Sequence, residues 1–477
     1  MKQLVWILML LTISQGMSAQ EKVFKAGAAQ LDVTPFLGAG IVGNYGTPPP
    51  AKNIHDPLFA KALVLDDGST RVAFVVVDNL GIYAHVAQKA KELIATETGI
   101  PVDHVTISAT HTHSGPSTGS VNRRGWMYDK PLDAYQQFMV RRLADVVSVA
   151  IYNLRPARIG SGSFQKPEHV FNRRWRMKTP VMSPLGFLDS VKMNPGHQNP
   201  NLSEPAGPTD PEVSFLAVET TEGKPIAVFA NYSLHYIGCV PRNDISADYY
   251  GVFARKIEKL LHAEDQDIPF VGIMSNGTSG DINNINFAAP AEKNPAYAKM
   301  ERVADDIATS LAEAYKKVEF KSWVPLKAKS AQVTLNVRKA SPELLENMAK
   351  VKQRDTTEKP LFHSLERTYL DRIESHQAEY PDRITVVLYA FSIGDLAIST
   401  IPFEVFAETG LELKERNPFG DSFTIGIANG YWGYLPTPRQ HKLGGYETWL
   451  TSNKVQKNTT EIFVSKLLEM FSELKGN

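Results

Sequence analysis

The chain is read as a mixed, layered α/β domain, and three observations lead there. β-branched apolar runs over 60–66 and 71–78 meet at Asp67-Gly68, the signature of a hairpin. Segments 86–97, 134–154, 249–262 and 297–317 repeat apolar residues at helical spacing with charged residues opposite. Strand-like runs over 105–109, 213–220, 226–231 and 270–275 interleave with them, an alternation that suits sheet layered with helix rather than a helical bundle. At 477 residues with 43% hydrophobic content, the chain can bury a large core.

Taken in order, the chain opens with Met1-Lys2-Gln3, an apolar run from Leu4 to Ile13 and a small-residue exit at Ser18-Ala19-Gln20. This reads as a cleavable signal over residues 1–19, too short to span a bilayer, with one mature domain over 20–477 lying in a periplasm or outside a cell. The hairpin and the alternating strands and helices follow. The stretch 180–211 is rich in Pro, Gly and Asn and lacks periodicity, which predicts a long ordered loop near a site mouth. Residues 341–382 are charged and helical in pattern, broken at Pro360, and read as a solvated cap. An amphipathic helix over 459–474 is expected to dock on the body.

The formal net charge of zero supplies neither a basic footprint for nucleic acid nor a polybasic membrane signal. Cys239 is the only cysteine, so no internal disulfide can form. Between Gly238 and Val240 it reads as a small buried residue. There is no internal repeat or low-complexity tract.

Candidate chemistry gathers where strands end. In Ser108-Ala109-Thr110-His111-Thr112-His113-Ser114-Gly115-Pro116 a strand gives way to a turn, and residues two apart in extended chain face one side. His111 and His113 can thus reach one cleft, one binding metal while the other handles protons, or they are simply polar residues of a surface turn. His235 leaves the strand beginning Ile226-Ala227-Val228-Phe229; taken alone it reads as a hydrogen-bonded core histidine. Glu404 follows Leu396 to Phe403 as a helix begins, where a carboxylate also suits the helix dipole. Residues 429–437 are dense in aromatics and turn formers, a pocket loop or packing. The Gly-rich run from Ser275 to Asn286 lacks the Gly-Lys-Ser/Thr ending of a phosphate loop and the Gly-x-Ser-x-Gly nucleophile pattern. Within it Asp281 could accept a proton or orient an imidazole.

Taken in this order, the segments resemble the neutral ceramidase family, zinc-dependent amidases that split a fatty acyl group from sphingoid bases. Residues 109–116 look like its metal loop, Asn172-Arg173 like its arginine segment, and His235 stands where it places a second zinc histidine. Ile401-Pro402-Phe403-Glu404 is similar to its Pro-Gly-Glu segment, with Phe403 replacing the glycine, and Tyr431, Tyr434, Thr437, Tyr446 and Glu447 stand at the family's spacing. The resemblance implies a zinc ion (Zn2+) held by His111, His235, Glu404 and Tyr434, with His113 and Asp281 moving or orienting the proton and Arg173 and Tyr446 stabilising charge on the carbonyl oxygen.

Two departures from the family stand out. Asn283 occupies the position of the family's nucleophilic serine, the preceding segment between Asn276 and Gly280 is two residues longer than the family's, and a carboxamide cannot form an acyl-enzyme through a hydroxyl. The second expected departure is the absence of the family's C-terminal β-sandwich domain. The expected protein is a secreted zinc-dependent hydrolase that cleaves a carbonyl-containing bond, foremost an N-acyl amide, with metal-activated water in place of serine. The alternatives are a glycan-directed hydrolase on the same metal-bearing fold, with Trp432 as a stacking platform, and a non-catalytic lipid or sugar binder. Its partner is then a small N-acyl lipid or glycan-like substrate, with no nucleic acid and no membrane-spanning segment in the mature chain.

Overall fold

Asp67 organises the first hairpin: its carboxylate accepts the N–H groups of Ser69 (2.8 Å) and Thr70 (2.7 Å), and Gly68 supplies the left-handed backbone (φ 86°) that the turn requires. The flanking strands Phe59–Asp66 and Arg71–Val77 pair antiparallel from Asp66↔Arg71 to Ala60↔Val77. The computed structural model describes residues 22–43, 46–119 and 126–476, so the proposed signal segment lies outside the described residues.

The hairpin belongs to an eight-stranded sheet. Its order is Val271–Asn276, Pro225–Tyr232, Glu212–Thr220, Arg155–Gln165, Lys25–Asp32, Phe59–Asp66, Arg71–Val77 and Val105–Ala109. The pairs at its two edges are parallel and those between are antiparallel. Its halves join through the short pairing Lys25↔Pro156 and Ala26↔Arg155. The two edge strands come back toward each other, and the Asn276 side chain donates to the Thr110 carbonyl at 3.1 Å. Residues 426–429 occupy the seam between them. Gly426 N–H donates to Asn276 O (3.0 Å), while Asn429 accepts from Ile107 N–H through its side chain (2.9 Å). Ile427 and Asn429 take left-handed φ of 51° and 61° to follow this path.

Helices α1 (Ala84–Thr98) and α2 (Ala134–Tyr152) cover one half of the sheet, burying Val86, Ile94, Met139, Leu143 and Val147 against Val75, Val77 and Ile107. Helices α3 (Asp248–Leu260) and α4 (Ala298–Tyr315) cover the other half. The opposite face meets a second, four-stranded sheet of Leu326–Asn336, Arg383–Ile393, Leu396–Thr400 and Asp421–Ile425. Phe74, Phe229, Phe391 and Phe423 interdigitate between the sheets, with ring centroids 5.1–6.0 Å apart. Helices α5 (Pro342–Gln353) and α6 (Glu366–Glu379) form the cap, with Pro360 in their connection. α7 (Ala407–Arg416) and α8 (Pro438–Leu443) follow, and the terminal α9 (Thr459–Gly476) packs Phe463, Leu467 and Phe471 on the outer face of the second sheet. The layers therefore run helix, sheet, sheet, helix, the mixed layered α/β class read from the sequence. No helix among the described residues is long and apolar enough to cross a membrane.

Three expectations are corrected. The 180–211 stretch is not a loop: Arg174–Met182, Leu188–Met193 and Leu202–Pro205 form a three-stranded sheet. Leu202–Pro205 is mostly exposed, and where burial does alternate, in Leu188–Met193, it runs against polarity, with Leu188 exposed and Asp189 buried, so no apolar pattern marks the strands. Cys239 is exposed rather than buried, in a left-handed turn (φ 62°). Trp432 is buried at 5% exposure and stacked on Tyr128 at 4.2 Å, so it is not an open platform for a sugar ring. The strand Arg155–Gln165, absent from the sequence reading, carries Gly160 and Gly162 where an apolar pattern would otherwise show. At Gly162 a Cβ would lie 2.7 Å from the Phe215 ring, so close packing takes the place of a side chain.

Candidate metal centre

The site gathers at strand ends. His111 lies just beyond Val105–Ala109, His235 beyond Pro225–Tyr232, and Glu404 beyond Leu396–Thr400. His111 is held at φ 69°, a conformation costing about 1–2 kcal/mol for a residue with a Cβ, and its N–H donates to Asn79 O at 2.9 Å. The chain therefore turns at His111 instead of running on extended, yet His111 and His113 still converge, with Nε2 atoms 3.2 Å apart. Among the described residues His111, His113 and His235 form a group whose ligand atoms lie within 4.8 Å of one another.

Backbone carbonyls set the tautomers. His111 Nδ1 lies 2.7 Å from Leu80 O and His235 Nδ1 lies 3.1 Å from Ser279 O. A carbonyl only accepts, so each Nδ1 carries the proton and each Nε2 presents a lone pair. Both lone pairs face Glu404, whose Oε2 is 3.4 Å from His111 Nε2 and 3.9 Å from His235 Nε2. Glu404 Oε1 is taken by the Tyr431 hydroxyl at 2.7 Å, which turns the other oxygen toward the imidazoles. Glu404 Oε2 and His235 Nε2 are buried with no hydrogen-bond partner. Two buried acceptors facing each other are costly unless a cation lies between them. Ligands at about 2.0–2.1 Å around a tetrahedral ion stand roughly 3.3 Å apart, close to the spacings here. The donor set therefore fits a divalent metal.

Electrostatics agree with that fit. Burial would raise the Glu404 carboxyl, but positive charge around it, on His111 and His235 when these are protonated and on the Arg173 guanidinium, outweighs it and holds the group well below the carboxylate range. Burial, with Arg173 and His111 adding to it, keeps His235 well below the usual imidazole value and hence neutral. Tyr434 pairs with Glu404 in the two-residue parallel ladder Glu404↔Tyr434, Val405↔Leu435. Burial and the adjacent Glu404 push its phenol well above the ordinary value.

The remaining sequence candidates lie on two sides of this cluster. The Arg173 guanidinium stands 5.3 Å from the Tyr434 ring, donates through Nε to Glu447 (3.0 Å) and through Nη2 to Gly280 O (2.8 Å). Glu447 also accepts from Arg174 (2.6 Å), so one buried carboxylate holds two guanidinium groups. The Tyr446 ring lies 5.3 Å from that of Tyr434. His113, the least buried of the three imidazoles, stacks on Tyr236 at 3.8 Å. Asn283 donates to Asn194 Oδ1 (3.0 Å) and accepts from Ile285 N–H (2.9 Å), so its carboxamide stitches the loop. Asp281 is fully buried, its carboxylate bonded to Ala407 N–H (2.9 Å) and Asn172 Nδ2 (2.8 Å), and burial pushes it up to about 7.

Sequence reasoning missed the roles of Tyr431 and Glu447, although both stood at the family's spacing, because letters carry no side-chain direction. It could not have found Leu80 or Ser279, which act through their carbonyl groups. Tyr431→Phe releases Glu404 Oε1 and is expected to weaken metal affinity roughly 10- to 100-fold with little change in fold. Competition against a chromogenic chelator measures this, and an unaltered affinity would discount the hydroxyl's part.

Comparison with known proteins adds a family. A family model described as neutral/alkaline non-lysosomal ceramidase, N-terminal, matches residues 24–303. The crystal structure of neutral ceramidase from Pseudomonas aeruginosa superposes with a TM-score of 0.68 at 17% identity, covering 95% of this chain and 75% of that one. A structure titled ceramidase complexed with C2 gives a TM-score of 0.68 at 17% identity, covering 95% and 76%.

Proposed function

The chain belongs to the neutral/alkaline non-lysosomal ceramidase family, and from that premise we propose that it is an exported, zinc-dependent hydrolase of N-acyl amides that uses water as nucleophile. The observation that carries the metal is the buried, partnerless pair Glu404 Oε2 and His235 Nε2 beside His111. In this reading His111, His235 and Glu404 hold the zinc with Tyr434 alongside, and the apolar run Leu4 to Ile13 directs export. Bound zinc supplies a Lewis acid that polarises a carbonyl and makes water acidic near neutral pH.

The chain's own residues do the rest. Arg173, steadied by Glu447 and Gly280, turns its remaining N–H donors to the carbonyl oxygen where negative charge develops, and Tyr446 adds a phenol beside it. His113, less buried than His111 and His235, carries the proton from water to the departing amine. Asn283 supplies no hydroxyl, and its amide is engaged by Asn194 and Ile285, which supports water rather than a covalent acyl-enzyme. With Trp432 buried under Tyr128, no observation favours a glycan over an N-acyl substrate.

Purified protein loaded with one zinc is expected to release fatty acid from N-acyl sphingoid bases or N-acyl amino compounds. A chelator should stop the release and added zinc should restore it. Zinc-loaded protein that leaves such a panel intact rejects the amidase reading.

A further inference from the structure

Asp281 touches more of the site's framework than any proton carrier needs to. Its Oδ1 accepts the N–H of Ala407, the first residue of α7 and three residues past Glu404. Its Oδ2 accepts from the Asn172 side chain, and its own carbonyl accepts Arg173 N–H at 2.8 Å. The preceding Gly280 repeats the pattern: its N–H donates to Val405 O at 2.7 Å and its carbonyl accepts from Arg173 Nη2 at 2.8 Å. A Cβ at Gly280 would collide with the carbonyl groups of Glu404 and Val405, so the two segments lie in direct backbone contact. A Cβ at Gly207 would stand 3.3 Å from Asp281 Oδ2, so that backbone covers the carboxylate from the other side. The imidazoles are oriented elsewhere, by Leu80 O and Ser279 O.

We propose that Asp281 is a positioning residue, one carboxylate that couples the Glu404 segment to the Arg173 segment and so sets the distance between metal and carbonyl-binding guanidinium, rather than a group that carries a proton. The inference rests on the metal reading above. Both carboxylate oxygens of Asp281 are engaged, one by Ala407 N–H and one by Asn172 Nδ2, so the side chain ties the two segments together.

The test measures zinc affinity of the metal-free full chain, together with kcat and KM. Asp281→Asn keeps an acceptor for Ala407 but sets an amide N–H2 against that of Asn172. It is expected to weaken zinc binding at least about 10-fold and to lower kcat with little change in KM. Combining Asp281→Asn with Asn172→Asp reverses the polarity of the pair, with loss of the Asn172 bond to Pro208 O (3.1 Å), and is expected to recover at least about threefold of the zinc affinity lost in the single variant. Should Asp281→Asn fold poorly, Asn172→Ala removes the Oδ2 bond and is expected to weaken zinc binding in the same direction. A single variant that binds zinc as tightly as a zinc-binding parent, or a double variant no tighter than the single, overturns the coupling alone. A parent that binds no zinc overturns the metal reading and the coupling with it.

Discussion

Glu404→Gln is expected to remove most of the zinc-dependent stabilisation while leaving the fold in place. The substitution preserves shape, and the new amide oxygen can still accept from Tyr431, now bonded to the carboxylate at 2.7 Å. What changes is the atom facing His111 and His235 at 3.4 and 3.9 Å: an anionic acceptor becomes either a neutral oxygen or an N–H2. An N–H2 there donates to the imidazole lone pairs and occupies the position a cation would take. Removing one partner of a buried charge pair costs about 3–5 kcal/mol, so zinc affinity should fall roughly 10²- to 10⁴-fold. The parent gains about 4 kcal/mol of stability at a zinc concentration 1,000 times its dissociation constant, whereas the variant at the same concentration gains far less. Thermal unfolding with and without zinc measures both. A variant that keeps the full zinc-induced shift would remove Glu404 from the metal set.

Arg173→Met should separate binding of the metal from its use. Arg173 is buried beside Tyr434 and donates to Glu447 and Gly280, but it is not among the groups facing the imidazole lone pairs. Methionine fills much of its volume, and Arg174 keeps Glu447 paired at 2.6 Å, so the fold should persist. Loss of a preorganised donor at a developing oxyanion costs about 10²- to 10³-fold in kcat. The expected result is that loss with zinc stoichiometry unchanged. A kcat within a few-fold of the parent would mean that the guanidinium is a structural cation and not part of the reaction.

The parts of the site that read plainly from the sequence are those where a distinctive side chain follows an apolar run. His111 and His113 after Val105–Ala109, His235 after Pro225–Tyr232 and Glu404 after Leu396–Thr400 all have that form. The helices packed on the first sheet and its strands other than Lys25–Asp32 and Arg155–Gln165 were legible for the same reason, since the period of their apolar residues matches what they bury. Features built from backbone were silent. The left-handed turn at His111 and the Leu80 and Ser279 carbonyls leave no trace in residue type. The three-stranded sheet over 174–205 was hidden because most of its residues face solvent. Asp281 was visible as an ionisable residue in a Gly-rich run, but its engagement by Ala407 and Asn172 depends on segments over 100 residues away.

The seam filled by residues 426–429 bears on how the molecule is made. His111 stands beside one sheet edge, yet the segment that closes this edge, and the Glu404 carboxylate and Tyr431 phenol beside the imidazoles, come from beyond residue 400. A nascent chain with its first 300 residues synthesised carries all three imidazoles and none of the partners at Glu404, Tyr431 or Tyr434. Contacts of such sequence separation form late, because loop closure must precede them. On the proposed metal reading, high-affinity capture of an ion is deferred until the segments beyond residue 400 have been added, and a product truncated before them would be left with imidazoles alone.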